Sequence, residues 1–173
     1  MAIRNPHLLA AEIVRDAGGE LVGRTRLQKV AYLTKLAGFP SEFRFEYRHY
    51  GPFSDDLARG MEIAAALGNV REEEKQADWG GWYSIYRTQD APTPPHDPRA
   101  DFVRRAAKIG AIELELAATA AFLACEEHVR DPWAETARRK PEKAAEGRLE
   151  RARQAYAKLR AETGERLPRL PET

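Results

Sequence analysis

Two short segments constrain this chain more than any other. The first is Gly23-Arg24-Thr25-Arg26-Leu27-Gln28-Lys29-Val30-Ala31-Tyr32-Leu33; the second is His49-Tyr50-Gly51-Pro52-Phe53-Ser54-Asp55-Asp56-Leu57. Thr25 stands where a helix N-cap would, and Gln28, three residues on, completes a capping-box pattern. Leu27, Val30, Ala31, Leu33 and Leu36 then supply an apolar helical face, which Gly38 terminates. Phe43, Phe45, Tyr47 and His49 alternate with Arg44, Glu46 and Arg48, the period of a strand with one buried face. Gly51-Pro52 is expected to stop that strand. Ser54 is an N-cap, with Asp55 and Asp56 where a helix dipole favours negative charge. Phe53, Leu57, Met61, Ala64 and Leu67 form the expected buried stripe, closed by Gly68-Asn69.

The remaining punctuation completes the outline. Asn5-Pro6 opens a helix carrying Leu8, Leu9, Ile13 and Val14, and Gly18-Gly19 closes it. Residues 70–88 read as a hairpin with Gly80-Gly81 at the turn. Its first strand, near Val70–Lys75, is a polar edge; its second is Trp82-Tyr83-Ser84-Ile85-Tyr86-Arg87. Residues 1–90 thus run helix, helix, strand, helix, hairpin, an order compatible with a winged-helix-like unit. Ala91-Pro92-Thr93-Pro94-Pro95-His96-Asp97-Pro98 is a stiff linker, assigned to 91–99. Residues 100–163 form a helical lobe packed on that unit. It comprises a short helix from Asp101, a central apolar helix over Ile112–Val129, a helix entered through Asp131-Pro132, and a last helix over about 147–162. Residues 164–173 are expected to be a loose tail. The fold class is mainly α with a small β-hairpin or sheet. The length of 173 residues suits one domain, or one domain with an appended lobe.

Bulk properties exclude several functions. The net charge of +1 gives no global pull toward nucleic acid or an anionic membrane. The longest near-apolar run, Leu116–Cys125, falls short of the roughly 20 residues a bilayer requires. The opening residues Met1–Pro6 lack a signal-peptide apolar core. The expected location is the cytoplasm. Cys125 lies inside an apolar helix and reads as a small buried hydrophobe. His7, His49, His96 and His128 show no paired metal spacing, and Cys125 with His128 offers two ligands without a second pair. No phosphate-cradling glycine loop or nucleophile elbow occurs. No metal, cofactor or catalytic residue is expected, and the chain reads as a non-enzyme.

The two segments resemble the Panacea superfamily, the SocA-like antitoxin domain, and within it most closely the YwgA-like proteins. The resemblance rests on Leu27-Gln28-Lys29-Val30-Ala31-Tyr32-Leu33, on Tyr50-Gly51-Pro52 with its acidic-capped helix, and on the helical C-terminal half. SocA-like chains continue the first motif with a tryptophan-containing extension. Thr34-Lys35-Leu36-Ala37-Gly38-Phe39-Pro40 stands there instead and favours the YwgA-like branch. The resemblance implies a non-enzymatic domain that binds another protein; separately, the abundance of Gly, Ala and Arg points to a GC-rich bacterial genome. Antitoxin members of the superfamily neutralise unrelated toxins, so a toxin is one implied partner. Thr25, Leu27, Gln28, Tyr32, Gly51, Pro52 and Ser54 carry structure in this reading, and none carries chemistry.

Two surfaces compete for function. Trp79, Trp82 and Tyr83, near the hairpin tip, either cap the core edge or anchor a partner, as aromatic residues do at interfaces. His49 and Tyr50 are either packed beside the corner or part of a binding surface. Glu72-Glu73-Glu74 reads as a solvated edge in preference to a metal site, and would suit a basic partner. Residues 138–160 hold nine basic residues (Arg138, Arg139, Lys140, Lys143, Arg148, Arg151, Arg153, Lys158, Arg160) against three glutamates, an excess of six. They either pair with carboxylates or contact phosphates. A DNA-binding regulator is the alternative function. However, the helix in the recognition position, Ser54–Leu67, exposes Asp55, Asp56, Arg59 and Glu62, a poor match to DNA. A protein partner fits better, and a homo-oligomer is compatible.

Overall fold

The computed structural model describes residues 5–89 and 96–172. Among these it is mainly helical: α1 (Pro6–Asp16), α2 (Arg24–Leu36), α3 (Asp55–Leu67), α4 (Pro98–Ala107), α5 (Ala111–Cys125), α6 (Pro132–Arg139), α7 (Pro141–Ala144) and α8 (Arg148–Glu162). The strands are β1 (Glu20–Val22), β2 (Glu46–Arg48), β3 (Gly51–Phe53), β4 (Arg71–Gln76) and β5 (Trp82–Arg87). They form an antiparallel sheet ordered β1-β5-β4 and a separate β2-β3 hairpin.

Local chemistry explains most helix starts. Ser54 Oγ accepts from the Leu57 N–H at 3.2 Å, Asp55 and Asp56 occupy the first turn, and Gly68 closes α3 in the left-handed region. Asp131 caps α6 through the Ala134 N–H at 3.0 Å. Asp97 caps α4 through Ala100 at 2.9 Å, so this helix begins at Pro98 rather than Asp101. The linker assigned to 91–99 lies partly outside the described residues, and its last two positions belong to α4. α5 ends at Cys125, short of Val129. The Val129 N–H donates to the Leu123 carbonyl at 2.9 Å, with His128 at φ +55°.

Five expectations are corrected by the structure. The Thr25–Gln28 capping box does not form. α2 starts from Gly23, at φ +101°, without a side-chain cap, and the Gln28 amide is engaged elsewhere. The 43–49 strand shrinks to Glu46–Arg48, because β3 offers only three residues to pair with it. Gly51-Pro52 does not stop the strand; it begins β3, and His49-Tyr50 make the turn. Within the expected α3 stripe, Leu57, Met61 and Ala64 are buried, whereas Leu67 is 64% exposed and Phe53 only half-buried. The C-terminal segment is not loose: Leu167 and Leu170 are buried, and Tyr156 and Arg160 donate to the carbonyls of Pro168 and Leu167.

Two apolar clusters share α2. One gathers α1, α3 and the sheet around Leu27, Ala31 and Leu57; the other gathers α4, α5 and α8 around Val30, Leu33 and Leu116. α2 is therefore buried on nearly every side from Leu27 to Thr34, including the polar Gln28 and Lys29. α5 is buried without interruption from Leu114 to Leu123, as its all-round apolar composition requires.

The β3 strand approaches α5 so closely that only glycine fits. Gly51 sits at φ +94°, and a Cβ there would lie 2.4 Å from Thr119 Oγ1. Gly51→Ala is expected to lower unfolding free energy by about 2–3 kcal/mol, from left-handed strain plus overlap. Denaturant titration measures it. Adding Thr119→Ala should recover the overlap and leave the strain.

Candidate functional site

The two sequence motifs meet as a clasp. The Gln28 carboxamide donates to the Ser54 carbonyl at 3.0 Å and accepts from the Ser54 N–H at 2.8 Å. From the next position on α2, Lys29 Nζ donates to the Pro52 carbonyl at 2.7 Å. From the other half of the chain, Lys140 Nζ donates to the His49 carbonyl at 3.0 Å. Side chains from both halves thus fasten the backbone of His49–Ser54. Lys140 and Lys143 also converge on the buried carboxylate of Glu115, at 3.4 and 2.7 Å.

This cluster is electrostatically unusual. Lys29 is 1% exposed. Burial pushes its amine down to about 7; Glu115 opposes this, and Lys140 and Lys143 reinforce it. Lys140 is lowered too, mainly by burial. A neutral amine near pH 7 has the chemistry of a nucleophile or base, but this one is sealed from solvent and committed to a backbone carbonyl. Its geometry is that of a fastener. Thr119 Oγ1, under Gly51, is buried with no hydrogen-bond partner among the described residues.

The other motif residues divide by exposure. Leu27 and Tyr32 are buried, the Tyr32 ring meeting Phe45 edge-on at 5.3 Å. Thr25 is exposed. His49 and Tyr50 are exposed as well, their rings 4.7 Å apart, and Lys143 lies 4.8 Å from the Tyr50 ring centre. His49 is thus not a packed histidine.

The hairpin tip is open. Trp79 is 80% exposed, Trp82 66% and Tyr83 36%. The cause is a mismatch of strand lengths. Ser84, Ile85 and Tyr86 are buried in the middle of the sheet, but β1 ends at Val22, opposite Ile85. Trp82 and Tyr83 project past it. The Ala77 N–H donates to the Gly81 carbonyl at 2.7 Å and closes the turn, and the Trp79 ring folds over Gly81. A groove of about 410 Å3 separates Trp82 and Tyr83 from Gly23–Arg26 at the start of α2, with Ala111 on its far wall. Arg24 bridges Glu72 at 2.8 Å and Glu74 at 3.2 Å beside it, so the acidic edge is internally paired. The His49-Tyr50 turn belongs to a different place: Thr119, beneath it, lies about 12 Å along α5 from Ala111.

The expected phosphate contacts have carboxylate partners. Arg138 pairs with Glu135 at 2.6 Å, and Arg139 with Glu135 at 2.9 Å while covering the Tyr47 ring. Lys140 holds Glu115, Arg148 holds Glu146 at 2.8 Å, and Arg151 reaches Glu113 at 3.4 Å. Among the described residues, Arg153 has only distant carboxylate partners, Glu150 at 3.8 Å and Glu172 at 3.7 Å. Among the described residues, no group of three His, Cys, Asp or Glu is placed to hold a metal. Cys125 is half-buried, and burial raises its thiol.

Sequence reasoning missed Glu115 as the centre of the lysine cluster. The available signal was a carboxylate flanked by Leu114 and Leu116 at the start of an apolar run, downstream of which lay a basic run.

No family model matches the chain. Among curated proteins it is similar to the uncharacterized protein YwgA of Bacillus subtilis (strain 168), 32% identical over 81 residues. The match covers 47% of this chain and 46% of that protein. No helix among the described residues is long and apolar enough to cross a membrane.

Proposed function

We propose that this chain is a non-enzymatic, cytoplasmic protein-interaction module of the YwgA-like, Panacea type, with the β4–β5 hairpin tip as its docking surface. The observation that carries the reading is the exposure of Trp79 and Trp82, 80% and 66%, beside a formed groove. Water-exposed indoles gain a large apolar burial when a partner covers them, and tryptophan is enriched among interface anchors. The partner is a protein, with a toxin as one candidate. The sealing of Lys29 also favours a non-enzyme, since this amine, pushed down to about 7 by burial, has no access to substrate.

The alternative, a winged-helix DNA-binding regulator, draws support from the element order α1-β1-α2-β2-β3-α3-β4-β5, in which the β2-β3 hairpin is inserted between two helices, and from the sheet order β1-β5-β4. Electrostatics disfavours it. The outer face of α3 presents Asp55, Asp56 and Glu62 against Arg59, and Arg138, Arg139 and Arg148 are paired with carboxylates.

Replacing Trp79 and Trp82 together by serine is expected to abolish co-purification of a stoichiometric protein partner, weakening binding at least 100-fold by the usual cost of lost anchors. The melting temperature should stay unchanged, because neither indole is in the core. Retention of the partner by the double variant would defeat the assignment. Salt-sensitive duplex binding by the wild type, lost on Arg148→Glu, Arg151→Glu and Arg153→Glu, would favour the DNA-binding reading instead.

A further inference from the structure

The ordered C-terminal segment closes a second site, independent of the hairpin tip. Between it and α8 lies a pocket of about 560 Å3, within the range that holds small ligands. Its floor is Trp133 and Tyr156, both buried, with Leu170 folded in from the C-terminal segment. The segment is built in place rather than draped. The Tyr156 hydroxyl donates to the Pro168 carbonyl at 2.5 Å, and Arg166 lies over the Phe39 ring at 4.7 Å.

Three guanidinium groups line this pocket, and each keeps unused donors. Arg153 lies 5.9 Å from the Trp133 ring centre, and its carboxylate neighbours, Glu150 and Glu172, stand at 3.8 and 3.7 Å, beyond hydrogen-bond length. Arg160 gives Nε to the Leu167 carbonyl at 2.8 Å and Nη1 to Glu165 at 3.3 Å. Arg169 is exposed and makes no ion pair among the described residues. Among the described residues of the lining, three arginines stand against one carboxylate, Glu172, an excess of two positive charges. Guanidinium forks match the tetrahedral oxygens of phosphate, and an aromatic floor suits an organic body.

From this arrangement we infer that the pocket binds a small phosphate monoester with an aromatic or apolar body, up to nucleotide size. The phosphate engages Arg153 and Arg169 and displaces the loosely held Glu172 carboxylate, while the body lies on Tyr156 and Leu170.

Isothermal titration calorimetry on the full chain tests the assignment with adenosine monophosphate, phenyl phosphate, inorganic phosphate and adenosine. At least one of the two monoesters is expected to bind saturably, at least tenfold tighter than inorganic phosphate, and adenosine not to bind. Arg169→Ala should weaken the monoester at least tenfold with an unchanged melting temperature, because that side chain supports nothing in the fold. Glu172→Gln should tighten binding several-fold by removing the competing anion. Arg59→Ala, an exposed arginine on α3, should change nothing. Failure of both monoesters to bind, adenosine binding as tightly as its monophosphate, inorganic phosphate binding as tightly as the esters, or indifference to Arg169→Ala would each overturn the inference.

Discussion

Gln28→Ala is expected to lower the unfolding free energy by about 3 kcal/mol, although the change removes only a short polar side chain. The carboxamide is 3% exposed and satisfies both backbone groups of Ser54, itself fully buried. The Ser54 carbonyl keeps a second partner, the Ala58 N–H at 3.1 Å. The Ser54 N–H has no substitute, and a buried orphaned donor costs about 1–3 kcal/mol. Truncation of this buried side chain also leaves a cavity, which adds to the loss. Gln28→Leu separates the two terms. It refills the volume but cannot accept from Ser54, so it should lose nearly as much as alanine in denaturant titration. Restoration of wild-type stability by leucine would show that the site needs bulk alone, and the clasp would fail as an explanation.

The second large effect depends on pH. Lys29 titrates near 7 in the folded chain against an ordinary 10.5, so between those values the unfolded state holds a proton that the folded state lacks. Stability therefore rises with pH across that window, with a limiting slope of about 1.4 kcal/mol per unit. Below 7 both states are protonated, and the burial penalty stays in full. Lys140, also lowered by burial, acts in the same direction. Cys125, Tyr32 and Tyr156, whose ionisation burial opposes, pull the other way at the alkaline end. The informative quantity is the wild type minus Lys29→Met, in which these contributions cancel. That difference should grow by about 2–3 kcal/mol in favour of the wild type between pH 7.5 and 9.5. Chemical denaturation at several pH values measures it. Parallel curves for the two proteins would mean that Lys29 is not sealed in the folded chain.

These two residues mark the limit of what the sequence discloses. Where a signal is local, it was legible. Ser54 and Asp131 cap as expected, because a cap needs only its own next three residues. Gly80-Gly81 sits at the tip joining β4 to β5, and the unbroken apolar run in α5 foretold its central place. Gln28 misled for the same reason. Its spacing from Thr25 satisfies a local rule, but β1 delivers the chain to Gly23 already turning, and a backbone 26 residues away makes a better partner. The Phe43–His49 alternation correctly marks Phe43 as buried, yet a strand exists only where another pairs with it, and β3 is three residues long. The terminal position of residues 164–173 suggested a loose end, whereas Leu167 and Leu170 find apolar cover. At the candidate site, the aromatic composition of the tip was readable, but the exposure of Trp79 and Trp82 was not. It follows from where β1 stops, which no residue in the tip encodes.

Amide hydrogen exchange at Ser54 tests the clasp most directly. The account predicts that this amide exchanges as slowly as those of the α5 core, only through global opening, and that Gln28→Ala releases it by several orders of magnitude more than it releases Leu116. Exchange of the wild-type Ser54 amide at the rate of an exposed turn would contradict the claim that the two motifs exist to bind each other.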